Sequence, residues 1–127
     1  MMGVWRFMDY CSAAGNNLIE EWCQDLPEEA QADFDVALKA LSIAEDWRGM
    51  AEFKSLGRDG LCEIRFKSLN VQYRPLGYFG PSARCFSIYV GCKKKGTVYT
   101  PPDAFDLAKK RRSKVQRGEA SLRERIV

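Results

Sequence analysis

Histidine is absent from all 127 residues. That excludes the mixed Cys/His zinc sites and removes the side chain most often used as a general base near neutral pH. Cysteine is present but ungrouped. The five residues Cys11, Cys23, Cys62, Cys85 and Cys92 form no Cys-x-x-Cys pair, and their odd number cannot close into a complete set of internal disulfides. Three of them fall within apolar strand patterns, where a reduced thiol behaves as a small hydrophobe. No apolar run approaches the length that spans a bilayer. The N-terminus carries Asp9 and no long apolar stretch, so a signal peptide is not expected. Together these absences point to a reducing cytoplasm, with no metal and no cofactor.

Charge is present, and it is divided. Residues 1–50 hold three Lys/Arg and ten Asp/Glu, a net −7, whereas residues 51–127 hold 17 and seven, a net +10. Such a division has two readings of similar weight. The basic half recognises a polyanion, or acidic helices neutralise a basic sheet within one domain. The length suits one domain, 1–127, with a core over about 4–116 and a tail over 117–127.

Val4–Tyr10 is short and aromatic, as a first strand is. Gly15-Asn16-Asn17 ends it, and Asn17 with Glu20 three residues later resembles a capping box opening a short helix. Leu26-Pro27-Glu28-Glu29 opens a second helix, with Ala30, Phe34, Ala37, Leu38 and Leu41 at helical spacing. The two helices predict an antiparallel hairpin over residues 16–46. From residue 51 the period becomes two. A short strand is expected over Ala51–Leu56, and Cys62, Ile64 and Phe66 alternate with Leu61, Glu63 and Arg65 as in a half-buried strand. A turn follows at Ser68-Leu69-Asn70. The next strand, Val71–Phe79, contains Pro75 and Gly77, which imply a bulge or an edge. After the turn at Gly80-Pro81-Ser82, Phe86, Ile88 and Val90 alternate into Lys93-Lys94-Lys95. Pro101-Pro102-Asp103 then opens a final helix, expected at one edge or end of the sheet, and residues 118–127 read as loose or as an extension of it. The order β-α-α-β-β-β-β-α is an α+β fold, a helical hairpin packed on a curved, mainly antiparallel sheet.

With no histidine, chemistry must rest on cationic side chains. Arg65 and Arg74 lie in apolar strand contexts, and each carries a planar fork suited to phosphate. The alternative is that they form salt bridges, with Glu63 and Asp59 as candidate partners. Among Lys93, Lys94 and Lys95, adjacent ammonium groups disfavour one another's charge, which suits a lysine to act as a general base; the alternative is a solvated strand end. Tyr99 could stack on a base or donate a proton, or be an ordinary loop tyrosine. Lys109–Arg112 spans one helical turn and points in several directions, so only Arg111 or Arg112 is expected near the sheet.

These segments, in this order, resemble the RelE/HigB-like toxins of type II toxin–antitoxin systems, and in particular the phage-derived RelE-like branch of the RelE/ParE superfamily. The resemblance covers roughly residues 4–115. It is carried by Leu26-Pro27, Lys54-Ser55-Leu56, Gly60–Arg65, Tyr73–Phe79, Lys93–Gly96 and Pro101–Ala108. It implies a metal-independent messenger-RNA endonuclease, working on the ribosome and silenced by a helix-turn-helix antitoxin. Arg65 and Arg74 match the family's strand arginines, Lys93 or Lys94 its lysine, and Tyr99 more loosely its tyrosine. Lys54, Lys67, Lys95, Arg111 and Arg112 are the expected RNA contacts. The chain departs from relatives that end in a catalytic Tyr or His. The same superfamily also hosts inhibitors of DNA gyrase that cleave no RNA, so a non-enzymatic protein-binding module stays open as the alternative.

Overall fold

The structure is a computed structural model and describes residues 4–127. Three helices and ten short strands make an α+β fold with helices packed on sheets. The first strand, β1 (Arg6–Cys11), is followed by the hairpin of α1 (Leu18–Gln24) and α2 (Glu28–Ser42). Then come β2 (Phe53–Ser55), β3 (Cys62–Ile64), β4 (Phe66–Ser68), β5 (Val71–Tyr73), β6 (Leu76–Phe79), β7 (Cys85–Val90), β8 (Lys93–Lys95) and β9 (Val98–Thr100). The chain closes with α3 (Ala104–Gln116) and β10 (Ser121–Arg125).

The strands form two sheets, a larger one in the order β10-β1-β7-β6-β3-β2 and a smaller one in the order β4-β5-β8-β9. All pairings are antiparallel except that of β1 with β7. The expected long strands are each divided. The chain passes from one sheet to the other at Arg65, at Arg74-Pro75 and at Gly91-Cys92. The apolar alternation runs through these kinks, so periodicity alone does not reveal them. The kinks are stitched together by the backbone. Arg74 N–H donates to Cys92 C=O at 2.8 Å, Ile64 N–H to Pro75 C=O at 2.9 Å and Arg65 N–H to Glu52 C=O at 2.7 Å. The irregularity implied by Pro75 and Gly77 is a bulge between Leu76 and Gly77, within an interior strand. A Cβ at Gly77 would lie 2.1 Å from Ser87 C=O, and one at Gly91 would lie 2.0 Å from the Trp22 ring. Both glycines therefore permit a close approach.

Asn17 caps α1, accepting from the N–H groups of Ile19 and Glu20. Glu20 does not complete a capping box; its carboxylate binds Arg125 at 2.6 Å. The hairpin covers one face of the larger sheet, where Trp47 packs among Phe7, Phe53, Phe79 and Phe86. It reaches the smaller sheet through Phe34 stacked on Phe66 and Trp22 set edge-on to Tyr73. The final helix was expected at an edge or end. It lies instead on the opposite face of the larger sheet, with Arg111 over the Tyr10 ring and Arg112 over the Tyr78 ring. Successive residues of a strand point to opposite faces, which puts Tyr10 on the side away from Asp9 and the hairpin.

Residues beyond the final helix neither trail loosely nor extend it. They form β10, which pairs with β1. The anchor is Arg125, whose Nε lies 3.0 Å from Asp9 and whose terminal nitrogen lies 2.6 Å from Glu20, while its guanidinium sits over the Phe34 ring. Burial pushes the Asp9 carboxyl above its ordinary value, against the pull of Arg125 and the hydrogen bond from Asn17. Removing Arg125 therefore strands a buried carboxylate. Arg125→Ala should lose about 3–5 kcal/mol of stability in urea denaturation. Arg6→Ala, which breaks only the exposed pair with Glu124, should lose less than about 1 kcal/mol. Equal losses from the two variants would contradict this account of the C-terminal strand.

Candidate functional site

The site is built where three strands change sheet. Glu63, on β3, is fully buried at 0% exposure. The alternating reading of this segment makes Glu63 one of the residues facing away from the core; in fact all three residues of β3 are buried, and Glu63 is covered by Tyr99, Arg65 and Arg74. A charge so placed requires partners, and Glu63 has three. The Tyr99 hydroxyl donates to Oε1 at 2.5 Å, Arg65 Nε donates to Oε2 at 2.8 Å, and Arg74 Nε lies 3.7 Å from the same oxygen. The salt-bridge reading of the two arginines thus holds for Glu63. Asp59 belongs elsewhere, with its carboxylate near Lys109 and its C=O near Arg112.

The two arginines are used differently. Arg74 is 12% exposed, and its terminal nitrogens donate to the Tyr73 C=O at 2.8 Å and to Gln72 Oε1 at 2.9 Å. Its Nε is buried without a hydrogen-bond acceptor. Burial lowers its pKa from the ordinary value, while Glu63 pulls it up and Arg65 pushes it down further. Arg65 is 32% exposed, and among the described residues it commits only Nε, so both terminal nitrogens remain available there. Both arginines line an open groove of about 420 Å³ beside α2, shared with Lys67, Gln72, Asp33, Glu52 and Val36. Its charge is therefore mixed, with Asp33 and Glu52 from the acidic and basic halves of the chain standing beside the arginines.

Register decides the orientation of the lysine triplet. Directly paired residues on neighbouring strands share a face. Lys67, Gln72, Lys94 and Tyr99 are paired in a row across β4, β5, β8 and β9. Lys94 thus stands on the face of Gln72, with its Nζ 5.2 Å from the centre of the Tyr99 ring. Lys93 pairs with Tyr73 and Thr100, and Lys95 with Val98, which puts both on the other face. Of the remaining expected RNA contacts, Lys54 is exposed and paired with Glu63 across β2 and β3. Arg111 and Arg112 turn inward to the tyrosines of the larger sheet, and Arg111 also donates to the Tyr89 C=O at 2.7 Å.

Tyr99 is on a strand and not in a loop. Burial, then the hydrogen bond to Glu63, holds its phenol well above the usual range. It acts as a neutral donor. The Cys92 thiol is likewise pushed up, to about 12, by burial and then by Glu63, and it donates to the Arg74 C=O. It is part of the scaffold and is not a nucleophile. Three polar groove residues escaped the sequence reading: Asp33, Glu52 and Gln72. Asp33 sits on a helix whose apolar stripe gave it a solvent-facing role. Gln72 could be found only from its place two residues before Arg74 within the expected strand Val71–Phe79, since i and i+2 share a face along a strand; Arg74 in fact lies just beyond β5.

Among the described residues no group of three or more Cys, Asp or Glu side chains is placed to hold a metal ion. No helix among the described residues is long and apolar enough to cross a membrane. In comparisons with known proteins, the family model Phage derived protein Gp49-like (DUF891) matches residues 21–113, from α1 into α3. The matched span includes Glu63, the groove and the lysine triplet, and leaves out β1 and β10. No curated protein and no solved structure matches the chain.

The Glu63–Tyr99 contact gives a pH test. The folded phenol is raised above the value of about 10 that a free tyrosine shows. Its stabilising contribution is therefore complete below pH 10 and is lost as pH rises through the folded value. The stability difference between the wild type and Tyr99→Phe should be constant from pH 7 to about 9 and shrink above about 10, measured by urea denaturation at each pH. A difference that grows with alkalinity would show that Tyr99 does not donate to Glu63.

Proposed function

Because the chain belongs to the Gp49-like family of phage-derived proteins, we propose that it is the toxin of a toxin–antitoxin pair and that it cleaves messenger RNA on the ribosome. The observation that carries the proposal is Arg65. Its inner nitrogen is fixed by a buried carboxylate, and its outer nitrogens are open to a groove shared with Arg74, Lys67 and Gln72. That arrangement suits a phosphodiester. In the proposed reaction the ribose 2′-oxygen attacks the adjacent phosphorus. The new 2′-O–P bond replaces the P–O5′ bond, and the products are a 2′,3′-cyclic phosphate and a 5′-hydroxyl. Arg65, with Lys67, stabilises the charge that develops on the phosphoryl oxygens. Arg74 holds Gln72 and shares a Glu63 oxygen with Arg65. Lys94 is the triplet member on the reactive face, and assists transfer of the 2′-proton. Lys93 and Lys95, on the far face, have no part in the chemistry. A helix-turn-helix antitoxin is the expected silencing partner.

The non-enzymatic alternative, a gyrase-type inhibitor, draws support from one observation. The Tyr99 hydroxyl and the terminal nitrogens of Arg74 are turned toward the protein, as they would be in a scaffold with no substrate to meet. Induced expression in bacteria, with growth curves and transcript-end mapping, separates the two. Cleavage predicts growth arrest together with new RNA ends within reading frames. Arg65→Ala should reduce cleavage about a hundred- to a thousandfold in a folded protein, while the Lys93→Ala/Lys95→Ala double variant should stay within about threefold of wild type. Growth arrest with intact transcripts and stalled DNA supercoiling would favour the gyrase-type reading.

A further inference from the structure

Glu63 has no exposure with which to reach a substrate and carries the wrong charge to stabilise a phosphoryl oxygen, yet Arg65, Arg74 and Tyr99 all touch it. Resting on the nuclease reading above, we infer that Glu63 is the positioning residue of the site, setting the plane of the Arg65 guanidinium so that its two outer nitrogens face the groove.

A guanidinium gripped only at its outer end can rotate about its side-chain bonds. Holding Nε fixes the plane and aims the opposite end. Glu63 does this from a strand, with no exposure to water, at 2.8 Å. The carboxylate itself cannot turn, because its other oxygen accepts from Tyr99, which β9 brings in from the smaller sheet. Arg74, on the same carboxylate oxygen, is held beside Arg65 although the two positive charges oppose each other. One anion under two cations lets both remain close and still leaves a net positive charge facing the groove. No acceptor is found for the terminal nitrogens of Arg65 among the described residues. The whole assembly therefore spans both sheets and ends in one free, aimed fork.

Two roles for Glu63 predict opposite results. If its charge mattered only as an electrostatic background, Glu63→Gln would remove a negative charge near the phosphate and would improve binding and cleavage. If it positions Arg65, the variant would keep or gain affinity and lose rate. The experiment compares purified wild type and Glu63→Gln in three measurements: cleavage of ribosome-bound messenger RNA, resolved into kcat and KM; the Arg65 Nε–H resonance in proton–nitrogen NMR; and titration with inorganic phosphate followed on that resonance. The expected result is kcat lower by about a hundredfold, KM unchanged or lower, and an Nε–H signal that is slow to exchange in the wild type and lost in the variant. An unchanged or raised kcat with the Nε–H signal retained overturns the inference. If Glu63→Gln does not fold, Tyr99→Phe takes its place, since it leaves the ion pairs and frees only Oε1. A loss of kcat of up to about tenfold, with faster Nε–H exchange, is then expected, and neither change overturns the inference. If the wild type cleaves no RNA, the nuclease reading falls. Positioning is then decided by the NMR signal and the phosphate titration alone. Loss of the slow Nε–H signal in the variant upholds it, and identical spectra and phosphate affinity overturn it.

Discussion

A carboxylate without access to water is among the more costly things a protein can bury, and removing one of its partners is more damaging than replacing the whole pair with apolar groups. Glu63 is such a group, and much of the molecule is arranged around it. Its partners come from the points at which strands leave one sheet for the other: Arg65 at the first kink, Arg74 at the second, and Tyr99 from the far strand of the smaller sheet. The third kink contributes Cys92, whose thiol and carbonyl both bond the Arg74 backbone. The kinks and the site are thus one feature.

A second buried ionic group closes the opposite end. Asp9 lies on the hairpin side of β1, and Arg125 reaches it from the last strand while also binding Glu20. Here the acidic first half and the basic second half of the chain neutralise each other inside the fold. Glu63 does the same within the basic half. Part of the charge division is therefore internal bookkeeping of the fold, and the remainder lies on exposed lysines that face in several directions. The exposed pairs, such as Lys39 with Asp35, add little to stability by comparison.

The α+β class, the helical hairpin, the Asn17 cap, the turn at Leu69-Asn70 and the bulge near Gly77 were all legible, because each depends on local pattern or on residues with special backbone freedom. Leu69 and Asn70 both adopt positive φ, as a tight hairpin requires. What could not be read was long-range. Alternation of apolar residues continues through Arg65 and Arg74 although the strand changes sheet there. β7 is buried at all six positions, since helices cover both faces of the larger sheet. The strand β10 has a charged, alternating sequence that resembles a solvated tail until Asp9 is known to wait for Arg125. The candidate site was half legible. Arg65, Arg74 and Tyr99, each singled out from the sequence, meet on Glu63, and Lys94 lies over the Tyr99 ring, but Glu63 itself was classed as outward-facing, and the orientation of Lys93 and Lys95 required the register of β8 against β5 and β9.

The groove itself has little net field. Arg65, Lys67 and Arg74 stand beside Asp33 and Glu52, with Glu63 beneath. Long-range attraction of a polyanion depends on summed charge, whereas charge stabilisation at a reacting phosphate depends on the placement of a few donors at close range. In this chain the two are in different places. Lys93 and Lys95 on the far face of the smaller sheet, and Lys109 and Lys110 on the outside of α3, carry exposed positive charge without touching the groove. On the proposed nuclease reading these charges would draw a phosphate backbone toward the protein at any register, in a manner that weakens with salt. On the same reading the groove would be selective because it is nearly neutral: a phosphate would enter it favourably only where it meets the outer edge of Arg65 and avoids the Asp33 and Glu52 carboxylates. Glu63 lowers the overall attraction and sharpens the one contact that remains.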